Sequence, residues 1–292
     1  MFGKKRITFE NFLSGIPARD YIFQKAPYEE QIRQAAKMIR EADYVLIGAG
    51  AGMSVAAGAI YGGEWFKENF ADFRAKYGDV PYMQDMYGAG FYPYPSEEAY
   101  WGYWSKQCMK AGIEANHTPL HKTLLSMLDG KKIFCTQGDY FHSQCAKGCH
   151  PKRYDARELF RQMDAARKDC LIPSDMVPKC PVCGGRMNMN LRIDQYFVQD
   201  EEWYIAEKRF GDFLSEAISS SRKICLLELG VGFNTPTIIR FPFEKLTREN
   251  EQISLVRLNL NEAVIPEHFG ARAVGINVDM QQSIEDICRA VK

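Results

Sequence analysis

Short runs rich in apolar residues alternate along this chain with stretches whose apolar positions recur at helical spacing. The short runs, which predict strands of a parallel sheet, are residues 44–47, 224–229, 255–261 and 273–278. The helical stretches are residues 28–42, 204–222 and the C-terminal stretch from 283. This alternation predicts an α/β fold, a Rossmann-like parallel sheet with helices on both faces.

The first two runs continue directly into glycine-rich turns. The first leads into GAGAG at 48–52 and the second into Gly230-Val231-Gly232. Backbone N–H groups at such a strand-to-helix turn can bind a pyrophosphate, and glycine keeps a Cβ from blocking the turn or the phosphates. The first turn is not the dehydrogenase fingerprint, because Met53 or Val55 stands where its third glycine would be. We expect a dinucleotide site, with an ordinary α/β turn as the alternative.

Two close pairs of cysteines predict a metal site. The pairs are Cys145 with Cys149 and Cys180 with Cys183. Each pair brings two thiolates to one ion, and two pairs complete a tetrahedral, closed site, so we predict one structural zinc ion. A redox role for the second pair is the alternative, although it leaves the first pair unexplained. His142 or His150 could also replace a cysteine as ligand.

Composition narrows the classes of function. Lys plus Arg and Asp plus Glu balance at 37 each, so net charge favours neither nucleic acid nor an acidic membrane surface as a partner. No apolar run approaches the roughly 20 residues that span a bilayer, and the N-terminus lacks the apolar core of a secretory signal. The nine cysteines fit a reducing compartment. We therefore expect a cytoplasmic protein.

Residues 64–110 are dense in tyrosine, tryptophan and phenylalanine. Residues 64–77 predict a helix with its aromatic side chains on one side, and GAGFYPYP at 88–95 predicts a loop. Two interpretations stay open. The stretch is either a packed insertion or a cover for the cofactor that also forms the acceptor pocket.

The first turn carries a resemblance to a known family. Gly50-Ala51-Gly52-Met53-Ser54, followed by Gly58, is similar to the G-A-G-x-S…S-G opening of the sirtuins. Sirtuins are NAD-consuming enzymes with a Rossmann domain and a small zinc domain. Their next element, P-x-F-R-G, is replaced here by residues 59–63. The aromatic stretch and ELGVGFNTPTIIRFPFEKLT at 228–247 resemble the macrodomain-associated microbial sirtuins in particular.

The resemblance implies NAD as co-substrate and assigns residues to it. The second turn stands where sirtuins have G-T-S/G-x-S, and Thr235 with Pro236 is expected to open a helix. Asn259 lies on a strand like the family's I-N strand, where it would face the adenosine ribose. The implied cofactor-binding residues are Gly50, Ala51, Gly52, Ser54, Gly58, Tyr61, Gly232, Phe233, Asn234, Thr235, Asn259 and Asn261.

The resemblance is least complete around the catalytic position. In sirtuins a helix, like residues 117–128 here, leads to a strand, a T-Q-N-x-D loop and then a catalytic H-G. Gln137-Gly138 stands in the H-G place if Cys145 is the first zinc ligand, eight residues on. Alternatively, residues 136–139 are a degenerate T-Q-N-x-D loop. We favour the first alignment, under which the N-x-D loop is absent and Gln137 is the catalytic residue.

A glutamine limits the chemistry at this position. Its amide donates and accepts hydrogen bonds but does not take a proton at a useful pH. Gln137 therefore disfavours deacylation and is compatible with transfer of ADP-ribose to an external nucleophile. The implied function is NAD-dependent protein mono-ADP-ribosyl transfer, possible partners being a lipoylated carrier similar to the glycine-cleavage H protein and a macrodomain hydrolase. The alternatives are an NAD-dependent deacylase and a catalytically impaired NAD- or ADP-ribose-binding protein, which the missing loop favours.

The expected domain organisation follows from the same resemblance. Residues 1–137 and 204–292 would form the Rossmann-like NAD-binding domain, with 64–110 as an aromatic-rich insertion. Residues 138–203 would form the small zinc-binding domain, with a charged, helical segment at 152–169 between the two cysteine pairs.

Overall fold

The computed structural model describes residues 16–56, 61–114 and 134–291. The predicted helix at 117–128 and the cofactor residue Gly58 lie outside them. The described residues form two compact units, 16–56 with 213–291 (the sheet unit) and 61–114 with 134–212 (the cysteine unit). The predicted domain boundaries stay a prediction.

The elements in chain order are as follows. The strands are β1 (Tyr21–Ile22), β2 (Tyr44–Ala49), β3 (Gly138–Cys145), β4 (Arg153–Asp155), β5 (Met187–Leu191), β6 (Ile224–Leu229), β7 (Ile253–Leu258), β8 (Ile265–Pro266) and β9 (Ala273–Ile276). The α-helices are α1 (Tyr28–Glu41), α2 (Ala51–Ala56), α3 (Gly63–Asn69), α4 (Ala71–Tyr77), α5 (Met86–Gly90), α6 (Glu97–Cys108), α7 (Arg157–Ala166), α8 (Glu201–Ser219), α9 (Arg240–Glu249) and α10 (Met280–Val291). None of these helices is both long and apolar enough to cross a bilayer.

A four-stranded parallel sheet forms the centre of the sheet unit, in the order β2-β6-β7-β9. On one face α1 and α10 bury Ile32 and Ile284 against β6, β7 and β9. On the other face Ala217 of α8 and Phe243 of α9 pack against β6 and β7. Because helices cover both faces of a parallel sheet, the predicted α/β class is confirmed, and each predicted strand is found within a few residues.

A three-stranded antiparallel sheet, β4-β3-β5, belongs to the cysteine unit. The core beside it is largely aromatic: Phe70, Phe73 and Trp101 are fully buried in one cluster with Cys145 and Cys180. The packed-insertion interpretation therefore holds for these aromatic side chains. Tyr82, Tyr87 and Phe91 of the same stretch are exposed.

Several local predictions are wrong in detail. The helix expected at 64–77 is two helices, α3 and α4, which meet at Phe70. The expected loop at 88–95 begins inside α5, because the Asp85 carboxylate accepts a hydrogen bond from the Gly88 N–H and caps that helix. The segment 152–169 forms β4 before α7. Val45 in β2 is 38% exposed, so that strand is not buried on both faces.

Candidate functional site

The two glycine-rich turns of the sheet unit lie against each other. The Gly50 N–H donates to the carbonyl of Leu229 at 2.8 Å, and the Gly52 N–H donates to the carbonyl of Gly230 at 2.9 Å. These bonds continue the pairing of β2 with β6 beyond the carboxyl ends of both strands. The sheet therefore brings the two turns together at the edge where open parallel sheets bind their ligands.

The close approach of the two turns explains their glycines. Gly230 has a φ of +61°, and a Cβ there would lie 2.3 Å from the Met53 nitrogen. A Cβ on Gly52 would lie 2.7 Å from the Gly230 carbonyl oxygen. The backbone of one turn leaves no room for a Cβ on the other. This alone explains glycine at positions 52 and 230, whether or not a phosphate binds there. These glycines are not by themselves evidence of a cofactor.

The second turn is held by a carboxylate. The N–H of Phe233 donates to Oε2 of Glu262 at 2.7 Å, and a Cβ on Gly232 would lie 2.8 Å from the same oxygen. Phe233 is 41% exposed, and Asn234 and Thr235 are exposed. The prediction that Thr235 begins a helix is wrong, since turns precede α9, which begins at Arg240.

The predicted ribose contact Asn259 is engaged by the protein itself. Its Nδ2 donates to the carbonyl of Val231 at 3.2 Å. Its Oδ1 accepts from the N–H groups of Asn261 and Glu262 at 3.1 and 3.0 Å. Asn259 thereby ties the turn after β6 to the turn after β7. The cofactor role of Asn259 and Asn261 stays a prediction.

Beneath these turns lies a buried ionic network that the sequence reasoning missed. Its members, all fully buried, are Glu228, Arg240, Glu244 and Arg257. Arg257 donates to both oxygens of Glu228, at 2.7 and 2.9 Å, and to Glu244 at 2.9 Å. Two carboxylates and two guanidinium groups balance in charge, as burial of ions requires. The sequence did contain a signal for this network, because Glu228 and Arg257 are charged residues inside runs that predict strands.

The surroundings shift the pKa values of the two arginines in opposite directions. Burial acts to lower the pKa of Arg257, but Glu228 and Glu244 hold it above its usual value. Burial and the charge of Arg257 lower the pKa of Arg240 to about 10. Both side chains stay cationic near neutral pH.

Gln137 is in the cysteine unit, on the turn that leads into β3. Its side chain is exposed, and its carbonyl accepts a hydrogen bond from the Arg192 N–H at 3.0 Å. Arg192 Nε also donates to the Thr136 carbonyl at 3.0 Å. Gly138 has a φ of +82°, and a Cβ there would lie 1.8 Å from the Asn190 carbonyl oxygen. The backbone of the Gln-Gly turn is thus fixed against β5, while the side-chain amide of Gln137 is exposed to solvent.

Two polar groups follow Gln137 on β3. Asp139 lies 2.8 Å from Nδ1 of His142, and this hydrogen bond helps to lower the pKa of Asp139 against the opposing effect of burial. The hydroxyl of Tyr140 accepts from Gln107 Nε2 at 3.3 Å and is hydrogen-bonded to Tyr61. Tyr61, a predicted cofactor residue, therefore belongs to the unit that carries Gln137. Its cofactor role stays a prediction.

The four predicted metal ligands come together. The sulfur atoms of Cys145, Cys149, Cys180 and Cys183 lie within 4.8 Å of one another. The Cys145–Cys183 and Cys149–Cys180 sulfur distances are 3.8 and 3.6 Å. With zinc–sulfur bonds of about 2.3 Å, a tetrahedral four-thiolate site has sulfur–sulfur separations of about 3.8 Å. The cluster could therefore hold a tetrahedral zinc ion.

Backbone N–H groups favour the thiolate form at the first cysteine of each pair. Burial acts to raise the pKa of Cys145, but hydrogen bonds from the N–H groups of Cys149 and Lys147 lower it to about 6. Burial likewise opposes the lowered pKa of Cys180, which accepts from the N–H groups of Cys183 and Val182. The thiolate is the form of cysteine that binds metal. These backbone hydrogen bonds therefore support the metal site that the spacing of the cysteine pairs predicts.

Of the alternative histidine ligands, His150 contacts the cysteine cluster and His142 is engaged elsewhere. Nδ1 of His150 lies 3.1 Å from the Cys149 sulfur, while Nε2 lies 2.7 Å from the Tyr154 hydroxyl. His142 is bonded to Asp139. Among the described residues, the grouping that could hold an ion contains the four cysteines alone.

Comparison with known proteins identifies the family. No family model matches the chain. It is 32% identical over 288 residues to a protein ADP-ribosyltransferase of Staphylococcus aureus strain Mu50, covering 91% of this chain and 89% of the relative. It is 29% identical over 264 residues to a Fusarium oxysporum f. sp. cubense protein named "Probable bifunctional ADP-ribose hydrolase/ADP-ribosyltransferase", covering 80% of this chain and 43% of that protein. The chain belongs to the protein ADP-ribosyltransferase family, which supports a transferase enzyme.

Proposed function

We propose that this protein is an NAD-dependent protein mono-ADP-ribosyltransferase of the sirtuin type. The observation that carries the proposal is the similarity, along nearly the whole chain, to a protein ADP-ribosyltransferase. The sirtuin assignment rests on Gly50–Ser54, on the Gln-Gly turn and on the four cysteines that could hold zinc.

The proposed reaction replaces nicotinamide by a protein nucleophile. The bond between the nicotinamide nitrogen and C1′ of the ribose breaks, and its electron pair leaves with nicotinamide. The acceptor's nucleophile then bonds to C1′ and gives up its proton to solvent water. The turns after β2 and β6 would bind the pyrophosphate and the adenosine half of NAD through N–H groups other than those of Gly50, Gly52 and Phe233, which already donate to the protein itself.

Gln137 would orient the reacting ribose. Its amide can donate to one hydroxyl and accept from another, but it cannot act as the base that sirtuin deacylation needs. The fixed backbone at Gly138 and Arg192 supports such a role, because an amide on a rigid turn loses less entropy when it binds. The acceptor we favour is a lipoylated carrier protein, with a macrodomain hydrolase as the enzyme that reverses the modification.

Zinc would act structurally in this proposal. Four thiolates complete a tetrahedral ion and leave no position for water or substrate. The ion would join the 145–149 and 180–183 segments, on either side of β4 and α7. We propose no catalytic step at the metal.

A second candidate is an NAD- or ADP-ribose-binding protein that catalyses nothing. The observation that favours it is the absence from the sequence of the N-x-D loop between residues 128 and 137, if Gln137 takes the H-G place. A deacylase is disfavoured, because Gln137 stands where that reaction needs a histidine.

One labelling experiment separates these functions. The protein is incubated with NAD labelled on the adenylate phosphate and a lipoylated carrier, beside the Gln137→Ala variant and an unlipoylated carrier. We expect label on the lipoylated carrier, and its loss with the variant. Stabilisation by NAD with neither label nor free nicotinamide would support the binding protein instead. Turnover of an acylated peptide would support the deacylase.

A further inference from the structure

Arg240 joins the turns at the ligand-binding edge of the sheet unit. Its guanidinium donates to the carbonyl of Val231 at 3.0 Å, to that of Glu262 at 3.1 Å and to that of Val264 at 3.3 Å. Val231 follows β6, whereas Glu262 and Val264 follow β7. One fully buried side chain therefore connects the backbone after two neighbouring strands.

The same guanidinium supports an aromatic ring. Cζ of Arg240 lies 3.8 Å from the ring centroid of Phe233. A cation at this distance attracts the face of an aromatic ring. The N–H of Phe233 donates to the Glu262 carboxylate. Tyr21 forms a T-shaped pair with that ring, with 5.9 Å between centroids, and its hydroxyl donates to Glu244 at 2.7 Å. The exposed Phe233 is thus positioned from below by Arg240.

Arg240 is also held in place. Its Nε lies 3.7 Å from Glu244, and its Nη1 lies 3.9 Å from Glu228. These carboxylates bind Arg257 more closely, so they neutralise Arg240 without drawing it away from the carbonyls. The three carbonyl oxygens accept its hydrogen bonds, and its plane faces Phe233.

We infer that Arg240 is a positioning residue for the dinucleotide, preorganising the Val231–Phe233 turn before NAD binds. The inference rests on the proposed function, because it assumes that this turn contacts the cofactor. A preformed turn pays less ordering entropy on binding, so Arg240 would act on affinity for NAD and less on the chemical step.

Arg272 provides a matched control in the same unit. It donates to the carbonyls of Thr247, Asn250 and Ile253 at 2.6, 3.3 and 3.0 Å. These groups lie at the C-terminus of α9 and the start of β7, at the opposite end of the sheet from the glycine turns. Arg272 makes the same kind of carbonyl bridge without touching the predicted site.

The test compares Arg240→Lys with Arg272→Lys in the whole chain, purified in the presence of zinc. Lysine keeps the charge but cannot bridge separated carbonyls as a planar fork does. We expect both variants to melt at a lower temperature. By calorimetric titration well below melting, Arg240→Lys should weaken NAD binding about tenfold, the equivalent of about 1.4 kcal/mol, and Arg272→Lys should bind as the unchanged protein does. Where turnover is seen, KM for NAD should rise more than kcat falls.

Different outcomes overturn different statements. The positioning role is contradicted if NAD affinity is unchanged in Arg240→Lys, or if both variants bind NAD equally weakly. The proposed function survives either result as long as the unchanged protein binds NAD. No NAD binding by the unchanged protein overturns both. Should Arg240→Lys not fold, hydrogen exchange of the unchanged protein decides: free exchange of the Phe233 amide without NAD contradicts a preformed turn.

Discussion

The two units of this protein build their cores differently. The sheet unit buries aliphatic side chains between helices and a regular parallel sheet, with one neutral ionic network inside it. The cysteine unit has a small antiparallel sheet, an aromatic core and four thiols within 4.8 Å of one another. A regular sheet stabilises itself through many equivalent contacts. The core of the cysteine unit relies on large aromatic side chains and, in our proposal, on a metal cross-link.

The largest expected effect comes from removing the proposed metal. Replacing Cys180 by Ser, or treating the protein with a strong chelator, should unfold the cysteine unit and leave β6 and β7 folded. Structural zinc binding contributes on the order of 10 kcal/mol in small metal domains, which is comparable with the whole stability of a typical domain.

The chain offers separate probes for the two units. All four tryptophans, Trp65, Trp101, Trp104 and Trp203, lie in the cysteine unit, so tryptophan fluorescence reports on it alone. Hydrogen exchange of the β6 amides reports on the sheet unit. As a control, Cys225→Ser changes a buried thiol in β6, away from the cluster. Unchanged fluorescence after Cys180→Ser would contradict a structural metal site.

A smaller effect is expected from the aromatic core. Phe70 is fully buried against Phe66, Phe73 and Tyr103, with ring centroids 4.9 to 6.3 Å apart. Phe70→Ala should lower the free energy of unfolding of the cysteine unit by about 3–5 kcal/mol, through lost burial and a cavity. Denaturant titration followed by tryptophan fluorescence measures it. Tyr87→Ala is the control, since Tyr87 is 71% exposed and should cost little. Equal losses of free energy of unfolding in the two variants would contradict the conclusion that buried aromatic side chains such as Phe70 stabilise this core.

This contrast also explains what the sequence could predict. The sheet unit follows from local pattern: the runs at 44–47 and 224–229 became β2 and β6, because strands inside a parallel sheet are rich in apolar residues. The spacing of the cysteine pairs was equally informative, since ligands on short knuckles must meet. Periodicity could not predict the break at Phe70, where aromatic packing separates α3 from α4. It also could not show that Gly52 serves a contact with a turn about 180 residues away.

The site was predictable only in part for the same reason. The second turn was found from its glycines and Gln137 through resemblance, and the roles of both stay predictions. Arg240 stands four residues beyond Pro236, in a stretch where a helix was expected to have begun. Its bonds to carbonyls after two different strands depend on tertiary structure, which a sequence pattern does not show.

The contact between the two glycine turns can be tested in the sheet unit. Gly230→Ala places a methyl group 2.3 Å from the Met53 nitrogen at a φ of +61°. Gly270→Ala is the control for positive φ without a clash, with a φ of +53°, a ψ of −132° and nothing within 4 Å. Backbone strain should cost each variant roughly 1–3 kcal/mol, and the clash should add roughly 1–3 kcal/mol for Gly230 alone. Denaturant titration followed by far-UV circular dichroism gives the difference. Equal costs would show that the contact between the turns does not require glycine at position 230.

Gln137→Ala should have the smallest effect on stability, because the Gln137 side chain is exposed and only its backbone is bonded to Arg192. The change in free energy of unfolding should stay within about 0.5 kcal/mol by tryptophan fluorescence, as for other surface substitutions. Transfer of label from NAD should nevertheless fall by a factor of about ten or more, since an orienting amide is lost. Lys147→Ala, exposed beside the cysteine cluster, is the control and should keep its activity. Loss of stability together with activity would assign Gln137 to the fold of the cysteine unit. Loss of activity alone would support the proposed role of its side-chain amide in orienting the ribose.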